Sequence, residues 1–300
     1  MSFADLKRKS QTNFDFLQKE LEKSSSNKNV DERFWKPEVD ASGNGYAVIR
    51  FLPAPEGETL PWAKLYSHAF QGPGGWYIEN SRTTLDRNEK DPVGEVNRRL
   101  WNSGDDGDKE TARRQKRKLQ YYSNIYVVKD PKHPENEGKV FLYKYGKKIH
   151  DKILAAMQPE FQDETPVNVF DLWEGANFKL KIKKVAGFWN YDSSEFDSVS
   201  ALSADDTELE ATWKSEHSLE AFTARDQFKS YEDLEKRLNL VLGSAPRPTA
   251  PSVDSEEYEP VAAPQSDFRA KMSAPTPVKQ EAVVEDDDAL SYFASLASDD

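Results

Sequence analysis

Twelve cationic side chains crowd residues 113–152: Arg113, Arg114, Lys116, Arg117, Lys118, Lys129, Lys132, Lys139, Lys144, Lys147, Lys148 and Lys152. Four acids, Asp130, Glu135, Glu137 and Asp151, offset them, leaving a surplus of eight positive charges in a chain whose formal net charge is −12. Tyr121, Tyr122, Tyr126, Phe141, Tyr143 and Tyr145 are threaded among the cations. Cations neutralise phosphates and flat rings stack on unpaired bases, so this combination suits a single-stranded nucleic acid. A half-buried sheet with a solvated, charged outer face fits the same residues, because charged faces are common.

Other chemistries find less support. The chain has no cysteine, which excludes disulfides, thiol nucleophiles and thiolate metal sites. Gly146-Lys147-Lys148 ends like a phosphate-binding loop, but the hydroxyl residue that should follow is missing and Gly138 is misplaced. There is no HExxH, no GxSxG and no Gly-rich dinucleotide fingerprint, and His68, His133, His150 and His217 are scattered. Carboxylates are plentiful, which keeps a metal-dependent nuclease as one alternative. A scaffold whose basic face meets an acidic protein is another.

Three hundred residues allow one large domain or two. A hydrophobic content of 37% with 31% charged residues predicts that part of the chain does not fold. With no membrane-length apolar run and no apolar signal core near Asp5 and Lys7-Arg8-Lys9, a soluble intracellular protein is expected.

The elements that must carry the aromatic and basic groups are mostly strands. Gly43-Asn44-Gly45 signals a turn, and Tyr46 to Leu52 reads as a strand stopped by Pro53. Tyr122–Lys129 and Lys139–Tyr145 are two further strand-like runs. From Phe178 to Val185 apolar and basic residues alternate, placing Phe178, Leu180 and Ile182 on a core face and Lys179, Lys181 and Lys183 opposite. Short strands with few long helices predict a small barrel or sandwich. Helices are expected at His150–Met157 and Tyr231–Leu242, where Leu234, Leu238 and Leu242 recur and Ser230 and Asp233 can cap.

The two ends differ from this body, which runs from about residue 31 to 243. Residues 1–23 carry Phe3, Leu6, Phe14, Leu17 and Leu21 near helical spacing beside Lys7-Arg8-Lys9-Ser10. An arm that orders on another molecule and a frayed terminus both fit that composition. Residues 244–300 are Pro-rich, polar and unable to build a core. They end with Asp286, Asp287 and Asp288 around an apolar cluster of Leu290, Tyr292, Phe293 and Leu296. An acidic tail with an apolar hook points to partner docking, and a solubility tail is the simpler alternative.

Gly43 to Pro53, Asn124 to Pro131, Pro134 to Phe141, and Tyr143 to Ile149 with Asp151-Lys152-Ile153 appear in a familiar order. With Trp173 to Phe178, Gly187-Phe188 and Asn190-Tyr191-Asp192, they resemble the T4-type phage single-stranded-DNA-binding protein, the gene 32 protein family, over most of residues 31–243. The resemblance implies a mainly β chain with some α, built on an OB-fold core with an associated subdomain at 61–101. It also implies a flexible basic arm at 1–23 and a disordered acidic tail at 244–300. By carry-over, Tyr121, Tyr122, Tyr143, Phe188 and Tyr191 are groove aromatics, with burial in the core as the competing role. Arg50, Lys116, Arg117, Lys118 and Lys144 are the phosphate partners. Lys7, Arg8, Lys9 and Ser10 match the family's arm motif, which binds the neighbouring copy on DNA. A second copy of that motif keeps Lys116-Arg117-Lys118, but Leu119 and Gln120 stand where hydroxyls are expected.

The family's better-known members hold a structural zinc with one histidine and three cysteines. Here His68 stands at the histidine position, but Ser81, Asp91 and Gly94 occupy the cysteine positions, so no zinc and no other cofactor is expected. Trp62, Trp76, Tyr77 and Trp101 are then expected to hold that segment by packing. The implied protein is not an enzyme. It coats single-stranded DNA in the cytoplasm of the infected bacterial host during replication, recombination and repair, and recruits replication proteins through its tail.

Overall fold

The computed structural model describes residues 31–243 apart from 162. The arm residues Lys7, Arg8, Lys9 and Ser10 and the tail residues Asp286, Asp287, Asp288, Leu290, Tyr292, Phe293 and Leu296 lie outside the described residues. In chain order the strands are β1 (Phe34–Trp35), β2 (Gly45–Phe51), β3 (Ala63–Gly72), β4 (Gly75–Asn80), β5 (Lys118–Lys129), β6 (Val140–Tyr145), β7 (Ala176–Val185), β8 (Phe188–Asn190) and β9 (Glu195–Val199). The helices are α1 (Pro92–Asn102), α2 (Asp106–Gln115), α3 (Lys147–Met157), α4 (Asp206–Lys214) and α5 (Tyr231–Leu242). They divide into two compact units, residues 31–64 with 120–223, and residues 65–119 with 224–243.

The first unit is the sheet-rich core that the strand patterns predict. Its strands run β6-β5-β2-β7-β8 with antiparallel neighbours; β1 adds parallel to β6 and β9 antiparallel to β7. Ile49, Phe51, Ile125, Leu142, Phe178, Leu180 and Ile182 are almost fully buried, so the period-two pattern on β7 holds as far as Ile182, beyond which Lys183, Lys184 and Val185 are all exposed. Phe51 centres this core, with Tyr145, Phe170, Phe178 and Phe196 around it at centroid distances of 5.6–6.3 Å. The basic face of β7 is partly neutralised: Lys179 pairs with Asp197 at 2.8 Å and Lys181 with Glu195 at 2.7 Å, both on β9.

The second unit packs the β3–β4 hairpin on α1 and α5. Phe70, Tyr77, Val93, Leu234, Leu238 and Val241 form its core, with Leu242 packed against them. The expected helix at 231–242 is present, and Ser230 caps it by accepting from the Asp233 amide at 3.1 Å. The hairpin turn must be glycine: a Cβ at Gly74 would lie 2.0 Å from the Leu240 carbonyl oxygen, and one at Gly72 would lie 2.4 Å from that of Val241. This unit is larger than the predicted 61–101 segment, because α2 and α5 complete it.

Candidate nucleic-acid interface

Arg50 does not offer its charge to solvent. It is fully buried in the first unit, where its guanidinium donates to Asn177 Oδ1 at 2.9 Å, the Asp171 carbonyl at 3.2 Å, and the Ser200 carbonyl at 2.9 Å. Gly175 makes the room, since a Cβ there would lie 2.7 Å from the Arg50 guanidinium. Burial is the chief influence on this group and pulls its pKa down. Its donors are spent on internal acceptors, so the expected phosphate contact is corrected to a structural role.

Three of the expected groove rings are also buried. Tyr121 stacks on His150 with centroids 3.8 Å apart and lies near parallel to Tyr145 at 5.8 Å. Tyr143 meets Trp35 edge-on at 5.3 Å and Tyr145 at 5.6 Å. Tyr122 has Phe222 stacked on it at 4.5 Å and Phe34 edge-on at 5.9 Å, and burial pushes its phenol up to about 12. In this structure Tyr121 and Tyr143 lie in the aromatic layer on one face of the sheet, while Tyr122 is covered by Phe222 on the other, so none of the three is an open stacking platform. Their burial was the competing role weighed for them, and it is the one the geometry has.

The exposed groups of the first unit gather elsewhere. Lys144 is exposed, with its ammonium 5.8 Å from the Tyr122 ring centroid. Phe188 and Tyr191 are half-buried at either end of β8. The foot of that hairpin is tied to α3, where Lys148 lies 3.7 Å from Asp192 and Lys152 donates to the Asp192 carbonyl at 3.0 Å. Beyond the ion-paired Lys179 and Lys181, the exposed Lys183 and Lys184 continue β7 to the turn.

In the second unit Arg117 is half-buried and Lys118 exposed, at the start of β5, with the half-buried Lys116 just before it. The Arg117 guanidinium lies 4.2 Å from the centre of the Tyr66 ring and donates to Thr83 Oγ1 at 2.6 Å. Thr83 and Ser81 hydroxyls are 2.9 Å apart, and Ser81 donates to Asp91 Oδ2 at 2.7 Å. With the Ser81 proton committed to a carboxylate, Thr83 must be the donor between the hydroxyls. Donors therefore point one way, from the Arg117 guanidinium through Thr83 and Ser81 to the Asp91 carboxylate.

Asp91 is where that chain ends and where α1 begins. Its Oδ1 accepts from the Val93 and Gly94 amides at 3.1 and 3.2 Å, capping the helix, and lies 3.4 Å from His68 Nε2. The other His68 nitrogen lies 2.9 Å from the Gln115 carbonyl. Burial pushes the Asp91 carboxyl up, but the His68 and Ser81 hydrogen bonds and the Gly94 amide outweigh it and hold the group at about 2. These residues do not fit a structural zinc. Ser81 and Asp91 are bonded to each other, and Gly94 has no side chain. Among the described residues, no group of three or more His, Asp or Glu gathers as a metal would need.

Sequence reasoning missed several of these partners. Tyr66 and Thr83 lie far in sequence from the Arg117 they hold, and no local pattern marks them. Phe222 covers Tyr122 from a segment where the sequence pattern predicts no element. Trp189, exposed between Phe188 and Asn190, was visible as an aromatic in a basic neighbourhood but was passed over.

A family model described as gp32 DNA binding protein like matches residues 43–242. The chain belongs to this family. It is 42% identical over 237 residues to the single-stranded DNA-binding proteins of Enterobacteria phages T2 and T4, covering 77% of this chain and 77% of each of theirs. A shorter match, 46% over 63 residues or 21% of this chain, is to a protein of the same name from Escherichia phage SV14, of which it covers 56%. The matched region spans both units, so the gp32-like family accounts for the sheet core together with the hairpin and helices of the second unit.

Proposed function

We propose that the protein coats single-stranded DNA, without sequence preference and without catalysis, in phage replication, recombination and repair inside the infected bacterial host. Family membership carries this, since its relatives at 42% identity are named as single-stranded DNA-binding proteins. The surface chemistry supports it: Lys116, Arg117, Lys118 and Lys144 for phosphates, with Phe188 and Tyr191 as half-buried rings at a cationic hairpin. Residues 1–23 bind neighbouring copies and make coverage cooperative. The acidic tail covers the basic surface when DNA is absent and recruits replication and recombination proteins when DNA displaces it. No zinc takes part; the His68–Asp91–Ser81 contacts hold the segment that a metal holds in other members.

Quenching of intrinsic fluorescence by poly(dT), reversed by salt, tests the binding. Four phosphate-facing cations imply a slope of about −3 in log affinity against log salt on single strands. Quenching that is absent, or that salt leaves unchanged, would favour the scaffold alternative. Removing residues 1–20 should leave affinity for a short oligomer and abolish clustering on a long one.

A further inference from the structure

We infer that Trp189, flanked by Lys184, is an additional base-stacking contact for single-stranded DNA on the β7–β8 hairpin. This rests on the proposed function and names a contact within it. The hairpin turns through Ala186 and Gly187 with φ of +51° and +91°, the two left-handed residues of a type I′ turn. A non-glycine residue there costs roughly 1 kcal/mol, so the tight turn is held against a local penalty. Its register places Trp189 directly opposite Lys184, and Phe188 opposite Val185. Trp189 and Lys184 therefore share one face of the ribbon, and their side chains are cross-strand neighbours.

Comparison with the other tryptophans singles out this one. Trp35 donates to Asp130, Trp173 to Asp206 and Trp213 to the Ala54 carbonyl. Trp62 packs on His150 and Phe170, and Trp101 lies under Arg113. Trp189 is 48% exposed and, among the described residues, has no hydrogen bond and no ring partner. Trp76, on β4, is similarly exposed at 54%, but its cross-strand neighbour is the neutral Gln71, and Arg237, which donates to its carbonyl, is paired with Glu79 at 3.3 Å. The stem of Lys184 packs over Gly43, where a Cβ would lie 2.8 Å from the Lys184 Cβ, while the residue as a whole is exposed. Among the described residues neither Lys183 nor Lys184 has an ion-pair partner, in contrast to Lys179 and Lys181 on the same strand. A flat ring without a partner, next to unneutralised cations, matches the stack-and-neutralise chemistry of an unpaired nucleotide. A protein partner of acidic character would use the cations but leave the indole face without purpose.

The test uses the full chain with W189A, W189F, K184A and W76A variants, titrated with a short thymidine oligomer and with poly(dT). W189A should bind the short oligomer at least about fivefold more weakly, from the usual contribution of one stacked base. W189F should keep most of the affinity, and W76A should match wild type. K184A should flatten the salt slope by about 0.7, whereas W189A should leave the slope alone. Unchanged affinity in W189A overturns the assignment. So does a loss seen only on poly(dT), which would place Trp189 between protein copies, or an equal loss in W76A. Failure of the wild type to bind the short oligomer would instead overturn the proposed function itself.

Discussion

The two units treat their polar and aromatic side chains in opposite ways. In the second unit Arg117, Thr83, Ser81 and Asp91 form one directed chain of hydrogen bonds that ends on a helix cap and on His68. In the first unit, Trp189 and Lys184 stand on a hairpin without such a chain, and the half-buried Glu216 has its carboxylate oxygens buried near the like charge of Glu58. Asp91 and Glu216 begin from similar intrinsic acidities and part widely. Hydrogen bonds and His68 hold Asp91 at about 2, while burial and then Glu58 push Glu216 up to about 8. What differs is whether donors meet the carboxylate. The lesson is that a small unit can hold a segment by gathering several donors on one buried carboxylate.

The comparison can be broken most forcefully at Arg50, the first unit's exception, which is as well satisfied as Asp91. Arg50→Ala should cost about 3 kcal/mol or more in denaturant unfolding, because it leaves a cavity and unpaired carbonyls at Asp171 and Ser200. A stable variant with only a flatter salt slope on DNA would restore Arg50 as a phosphate contact. Asp91→Ala comes next, at about 2–4 kcal/mol, through loss of the α1 cap and of the Ser81 and His68 contacts. Hydrogen exchange should show the 65–119 segment opening first. Because the Asp91 pKa is held below its usual value, its contribution is present above pH ~4 and is lost as pH falls through about 2.

Glu216→Gln should act in the other direction. A carboxyl raised to about 8 keeps its proton in the folded state, so stability falls as pH climbs from its ordinary value near 4.5 toward 8. The glutamine variant should melt several degrees higher at pH 8 and equal wild type near pH 4. A gain that is the same at both values would remove burial of the charge as its cause. Thr83→Val is the smallest effect, roughly 1 kcal/mol in stability, because it cuts the link between Arg117 and Ser81. DNA affinity should weaken two- to threefold with the salt slope unchanged, since the Arg117 charge remains; a loss of slope would show that the charge itself had moved away.

Much of the fold is written in local pattern. The alternation on β7, the turn at Gly43, and the leucine spacing and Ser230 cap of α5 each specify an element within a few residues. α1 is marked by Asp91-Pro92 and by Val93, Val96 and Leu100 at helical spacing, whereas α2 has the Asp105 cap but only Ala112 as an apolar residue among its charges. The candidate site was less legible. Basic and aromatic residues in one stretch cannot show which are already engaged, and Lys147 and Asp151, one turn apart on α3, pair at 2.9 Å. Tyr121 and Tyr122 alternate on one strand yet are both buried, since rings from α3 and from the segment around Phe222 cover the two faces. Arg50 looked like any surface cation until Gly175 and Asn177, over a hundred residues away, were folded against it.

Hydrogen exchange of the full chain, with and without a saturating thymidine oligomer, tests the central claim most directly. Bound DNA should slow exchange across residues 183–191 and around Lys144 and Lys116–Lys118, and leave the sheet core around Phe51 unchanged. Saturation of the protein with the oligomer and no protection at 183–191 would contradict the account.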